Sequence, residues 1–449
     1  MIPTGMKITN GTLNVARNDS RTWLDRLGSV LTSQLRADRY PLRAAIVEIT
    51  DREAVVESTF VDLHPRDPYR DRFTAIELTS PRRKDHQDAS FAVVQVVPTG
   101  VRCEVGGYAG DACPATNLLA SAADFVITHP NAVNASDINE MASNVLYVEG
   151  KSLDDFLLGH IALARTRSNR IGTFIDPTGI AYLDDVVHSL NAARATGGID
   201  CSLYSVGERE IGVRTVWSPS GCAVGTVADP LAILETVQRL LGEGVDAIGG
   251  VSVIHGVTAA EFARHLSGAI PNPSGGVEAI ITHLISKVFR VPTAHAPLPY
   301  YQELKDRGTR NPRASAEFIS APHYLSVLKG LARAPRLVPI ERLDHVAPHL
   351  VSLNAVGAIV VPASGLGGIP ALAAEFSSIP LIAVEENKTL LAVDNDKMRM
   401  RNVISVRSYL EAAGVILALR QGISLESLRR PIECSTRLEA AREKREISS

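Results

Sequence analysis

His129 is the strongest chemical signal in the chain: it stands where the apolar run Phe125 to Ile127 gives way to Thr128-His129-Pro130-Asn131. A proline disfavours helical backbone in the residue before it, so this imidazole is expected at an extended strand exit. Imidazole changes charge near neutrality, which suits proton transfer. Asn131 and Asn134 follow, and each can donate and accept, as holding a carboxylate, amide or sugar hydroxyl requires. Upstream, Glu104, Gly106, Gly107, Gly110 and Asp111 form a glycine-rich loop that Pro114 turns into a helix. Glycine lets backbone amides approach a ligand, and a helix amino end favours an anion. An ordinary strand-to-helix turn explains the same glycines, and neither GxGxxG nor a P-loop is present.

Other candidates lie further along. His255 closes AIGGVSVIHG, and Glu278, His283 and His295 fall within GGVEAIITHLISKVFRVPTAHAP. Glu278 and His283 are five residues apart, which is not the HExxH spacing of zinc proteases. Gathered over one sheet edge, these histidines would serve as acid and base or hold a divalent metal; the motifs call for no other cofactor. Asn191 and Arg194, three apart on one helix, share a face, as a ligand contact or as a solvated surface. Ser364, Gly367 and Gly368 follow the apolar run VGAIVV and form a second candidate anion loop. Glu386 and Asn387 close the next run. Ser364 lacks the GxSxG context of a hydrolase nucleophile, and Cys222 reads as a buried thiol.

These residues need a scaffold, and the alternation of apolar runs with amphipathic stretches supplies one. FAVVQVV, DFVIT, VLYVE, IGTFID, CSLYSV, AIGGVSVI, VGAIVVP and PLIAVEE read as strands. Helices are expected at 114–122, 184–195, 229–241, 259–266, 276–288 and 369–376. Strands apolar along their whole length imply helices on both sheet faces. The fold class is therefore α/β, doubly wound and mostly parallel. Residues 1–88 read as a small αββ unit, with a helix over 23–35 ahead of AAIVEI and AVVESTF. Residues 89–330 read as the main α/β domain, and 331–449 as a C-terminal segment that completes the site and ends in a polar helical tail.

The composition is that of a soluble globular protein: 45% hydrophobic, 21% charged and a net charge of -3. It gives no basic footprint for nucleic acid or an anionic membrane. No apolar stretch reaches the length of a membrane span, and the first twenty residues lack the apolar core of a signal peptide. Five cysteines without a CxxC pair point to a reduced, cytoplasmic setting, and a homo-oligomer is the expected assembly.

The stretches GGYAGDACPATNLLASAADFVITHPNAVNAS, LYVEG, VVHSLNAARATGGID, GGVEAIITHLISKVFRVPTAHAP and GAIVVPASGLGGIPALAAEFSSIPLIAVEEN resemble a family of bacterial and plastid proteins catalogued as a domain of unknown function, number 3326. The likeness runs over roughly residues 91–425 and implies an enzyme-like protein without supplying an activity. The residues themselves predict an enzyme acting on a small carboxylate- or amide-bearing metabolite by hydrolysis, lyase action or isomerisation. His129, with His255, His283, His295 and Glu278, would move protons, and the glycine loops would hold the anionic part. A nucleotide-dependent enzyme and a non-catalytic ligand sensor are the alternatives.

Overall fold

Apolar runs that bury both faces create two parallel sheets, and the remaining strands are arranged around them. The computed structural model describes residues 5–17, 24, 38–73, 90–135, 138–298, 311–319, 323–341 and 345–435. In chain order the strands begin with β1 (Lys7–Ala16), β2 (Arg39–Ile49) and β3 (Glu53–Asp62), then β4 (Ala92–Gln95), β5 (Phe125–Thr128) and β6 (Val145–Tyr147). Next come β7 (Ile161–Ala164), β8 (Ile171–Ile175), β9 (Leu203–Val206), β10 (Val213–Trp217), β11 (Ala223–Val227), β12 (Ala247–Ser252) and β13 (Thr293–Pro297). β14 (Arg336–Pro339), β15 (Val356–Pro362), β16 (Leu381–Val384) and β17 (Val403–Val406) complete the set.

The larger sheet has six parallel strands in the order β17-β16-β15-β4-β5-β6. From β4 the chain winds outward through β5 and β6, and from β15 it winds the other way through β16 and β17. Residues 356–406 thus complete the sheet that residues 92–147 begin. The reversal between β4 and β15 opens a crevice beyond the carboxyl ends of the strands, the usual binding position in open α/β sheets. A second parallel sheet, β13-β12-β8-β9, comes from residues 171–297.

The helices of eight residues or more are α1 (Cys113–Ala122), α2 (Gly150–Leu157), α3 (Leu183–Gly197), α4 (Pro230–Gly242), α5 (Ala259–Leu266), α6 (Gly275–Phe289), α7 (Tyr324–Leu331), α8 (Ile369–Phe376) and α9 (Tyr409–Arg420). α2, α7 and α9 were not expected from the sequence. The largest apolar core is continuous across both parallel sheets and the front unit, joining Val94, Ile127 and Ile359 to Ile171, Val251 and Ile46.

The front unit contains a three-stranded antiparallel sheet, β1-β3-β2, in which β1 was not expected from the sequence. β1 reads KITNGTLNVA, and its polar residues with Asn10-Gly11 hid an extended strand. It is fixed by its ladder with β3 and by buried Ile8 and Val15, and side-chain bonds add to these: Thr59 donates to Asn10, and Asn10 donates to the Gly225 carbonyl. Except for Leu24, the helix expected over 23–35 lies outside the described residues, as do Ser136, Asp137 and the tail beyond 435.

Candidate functional site

Pro130 sets His129 in extended backbone at the end of β5, φ -109° and ψ 165°, and the surrounding strands leave it 8% exposed. Its Nε2 accepts a hydrogen bond from the Val97 amide at 2.9 Å. A nitrogen that accepts an N–H carries no proton, so the neutral ring keeps its proton on Nδ1. Burial pushes the His129 pKa down to about 4, against the pull of Glu149. At neutral pH this side chain is an uncharged donor. No hydrogen bond to Nδ1 occurs among the described residues.

One strand over, VLYV ends in Glu149-Gly150, and Glu149 becomes the amino-terminal cap of α2. Its carboxylate is 3% exposed and heavily engaged. Oε2 accepts from the amides of Lys151 at 2.9 Å and Ser152 at 3.1 Å and from the Ser286 hydroxyl at 2.6 Å. Oε1 accepts from the Thr282 hydroxyl at 3.1 Å and pairs closely with Nδ1 of His283. Burial alone would raise the Glu149 pKa, but His283 and these donors hold it down at about 2. Glu149 is therefore ionised, and an ionised carboxylate only accepts. Nδ1 of His283 must donate, so Nε2 is the nitrogen that can take up or release a proton. Gly150 makes room for that ring: a β-carbon there would sit 2.8 Å from Cε1 of His283.

The two histidines, with Asp154 of α2, line a cavity of about 160 Å³ at the carboxyl ends of β4, β5 and β15. Asp154 has no side-chain hydrogen bond among the described residues. Burial raises its pKa to about 7, with Lys151 and His283 pulling the other way. An acid poised near neutrality, a histidine held by a carboxylate and a neutral histidine donor thus share one cavity. Tuned groups of this kind cluster where protons are moved. Arg43 and Ala44 of β2 close one wall, and Gly365 and Gly368 close another.

The remaining sequence candidates are placed differently. Glu278 pairs with Nδ1 of the buried His295 at 3.3 Å, while Nε2 of His295 meets the Ser252 hydroxyl at 2.9 Å. Neither lines the cavity. His255 is exposed and bridges Arg214 through its backbone. Asn191 and Arg194 lie exposed on α3, bonded to each other at 3.4 Å. In the first glycine loop, Asp111 binds the Gly106 amide at 2.6 Å and Arg313 at 2.7 Å, and Glu104 also pairs with Arg313. Gly107 sits where a β-carbon would be 2.1 Å from the Cys103 carbonyl. Asn131 donates to the Gly106 carbonyl and Asn134 to the Tyr147 hydroxyl. These groups hold the loop shut on itself.

The second loop has two parts to play. Ser364 is bonded to Thr389, and Gly367 lies where a β-carbon would meet the Ile46 carbonyl at 2.1 Å. Glu386 accepts from the Tyr409 amide at the start of α9, and buried Asn387 ties Val105 to the Tyr409 hydroxyl. Among the described residues, no cluster of three or more His, Cys, Asp or Glu has a metal-holding arrangement. Cys222 is buried, and burial raises its thiol pKa.

Sequence reasoning passed over Glu149, Asp154 and Arg43. Glu149 carries the same signal as His129, a polar residue that closes an apolar run, and could have been found by it.

The chain belongs to the family described as "Protein of unknown function (DUF3326)", whose model matches residues 92–429. The front sheet lies ahead of that match. The chain is also 33% identical over 344 residues to an uncharacterised lipoprotein of Synechococcus sp., covering 76% of this chain and 93% of that one. No solved structure matches it. The lipoprotein relative overturns the expectation of a cytoplasmic location. A lipid on one or a few residues leaves bulk composition and cysteine count unchanged, so neither is a guide to location. Among the described residues, no helix is long and apolar enough to cross a membrane.

Proposed function

We propose that this protein is an enzyme that moves protons on a small polar, carboxylate- or amide-bearing metabolite by non-redox chemistry: a hydrolase, lyase or isomerase. The observation that carries the reading is the Glu149–His283 pair opening into the cavity beside His129 and Asp154. In this reading Nε2 of His283 is the general base, and Glu149 fixes its tautomer and ring orientation. Nδ1–H of His129 donates to an oxygen of the substrate's own anionic or amide group, the oxygen on which charge develops, as a neutral donor that keeps its proton. Asp154, half in each protonation state near neutrality, returns a proton to the product. The cavity is smaller than a drug-sized site, which favours a compact metabolite over a polymer.

The test is turnover of a small-metabolite extract in deuterated water, read by mass spectrometry for compounds consumed, formed or deuterated. Wild-type protein should change at least one compound, and folded His283→Ala should change it at least a hundredfold more slowly. An extract left intact by the wild type, with one compound retained unchanged, would identify a ligand sensor and end the enzymatic reading. Equal turnover by His283→Ala would remove His283 from the chemistry.

A further inference from the structure

The front sheet supplies a charged residue to this cavity from outside the family-matched region. β2 docks its backbone on the second glycine loop: the Ile46 amide donates to the Gly367 carbonyl at 2.9 Å, and Ala45 bridges Gly368. That seam brings Arg43 into the cavity wall, facing the same space as His129 and His283. Arg43 makes no hydrogen bond or ion pair with any described residue. Glu57, its neighbour on β3, accepts from the Ser220 amide and forms no ion pair with it. Asp154, His129 and His283 are the other titratable groups that line the cavity.

Two helix amino ends border the same space. α6 contributes Gly276, and α8 contributes Gly368, Ile369 and Ala371 to the lining. Ser274, the cap residue of α6, provides no side-chain cap, so the first-turn amides of that helix lack this competitor. In α8, Gly368 provides no cap either, but Pro370 has no N–H and the Ala371 amide donates to the Gly368 carbonyl at 3.2 Å, so that helix offers the Ile369 amide. A helix amino end alone does not make a site, because capping and solvent satisfy most of them. Here a second group points to a ligand. His129 is more than nine-tenths buried, lines the cavity, and has Nδ1–H without a partner among the described residues.

We propose that Arg43, the amino ends of α6 and α8 and Nδ1–H of His129 form an anion subsite that grips the carboxylate or phosphate of the substrate. The front sheet is then a working part of the site, and the substrate class is a small anion with its reactive carbon facing His283. Guanidinium and helix amides together suit a planar carboxylate or a phosphate oxygen pair. The subsite rests on the enzymatic reading for its purpose, but it is tested separately, by binding.

The experiment is calorimetric titration of full-length protein with sodium succinate and with inorganic phosphate, as wild type, Arg43→Gln, Arg43→Lys and His283→Ala. At least one anion should bind the wild type saturably, Arg43→Gln should weaken it tenfold or more, and Arg43→Lys should retain part of the affinity. His283→Ala should bind as the wild type does, even where it turns nothing over. No saturable binding of either anion to the wild type, or equal binding by Arg43→Gln, would overturn the subsite. Full activity of His283→Ala would overturn the proton-transfer reading and leave the subsite standing.

Discussion

Replacing Glu149 with Gln separates what this carboxylate does for the fold from what it does for His283. Gln keeps an oxygen where Oε2 accepts from Lys151, Ser152 and Ser286, so the cap of α2 survives. At the other position an amide NH₂ replaces Oε1 and faces the Thr282 hydroxyl and Nδ1 of His283. The hydroxyl can rotate to accept. A ring nitrogen that carried a proton would now face a donor, so His283 must move that proton to Nε2, the nitrogen assigned to catalysis. The stability cost has a ceiling. Glu149 is held at about 2 against an ordinary 4.5, and at about 1.36 kcal/mol per unit this is roughly 3 kcal/mol. Because folding lowers this pKa, the contribution is complete above pH 4.5 and is lost as pH falls from 4.5 to 2. Urea unfolding at pH 7 should therefore show Glu149→Gln destabilised by about 1–3 kcal/mol, with the difference closing in acid. Nitrogen-15 histidine spectra should show Nε2 of His283 bare in the wild type and protonated in the variant, and turnover should fall about 10²–10⁴-fold. A wild-type ring already protonated on Nε2, or a variant with unchanged tautomer and full activity, would refute the reasoning.

Asp154→Asn should stabilise the protein at pH 8. Folding raises this carboxyl from 3.8 to about 7, so the folded state holds the extra proton and loses stability as pH rises through that window. Removing the charge should recover up to about 4 kcal/mol at pH 8 and almost nothing at pH 4, by urea titration; the opposite pH trend would show that Asp154 is not held protonated. Gly367→Ala places a methyl 2.1 Å from the Ile46 carbonyl and should open the seam under β2. We expect a loss of about 1–3 kcal/mol, faster proteolysis ahead of β4 and weaker anion binding; unchanged proteolysis and binding would show that this seam does not position Arg43.

Eight of the ten described parallel strands were legible as short, mainly apolar runs, and all eight expected runs contain a strand; β13 and β17 were not expected. Part of what escaped was polar or set by distant partners. β1 mixes few buried apolar residues with polar ones such as Asn10, whose bonds to Thr59 and the Gly225 carbonyl help to hold it. β7 and β14 gain their status from pairing with each other across the chain. His129 could be read because Pro130 constrains it locally. Glu149 could not be assigned a role from the sequence, since His283, which gives it one, lies 134 residues away. Asp111 and Glu104 illustrate the converse: their loop is rich in ligand-like groups, and Arg313 takes up both carboxylates. A polar cluster is a site only where some of its groups remain unspent.

That criterion also explains why the cavity sits where it does. The reversal between β4 and β15 provides a crevice, but a crevice filled by apolar side chains would only be core. Here the strand exits deliver His129 and Glu149, α6 brings His283 from the other half of the chain, and β2 brings Arg43 from the front. Each group arrives on a different element, and the close approaches that hold them occur at glycines where a β-carbon would collide: Gly150 against the His283 ring, Gly276 against the Ala223 carbonyl and Gly367 against the Ile46 carbonyl. The chain uses its glycines to bring these elements close, and its charges remain free for chemistry. Loosening any one seam should therefore impair binding or turnover before it unfolds the protein.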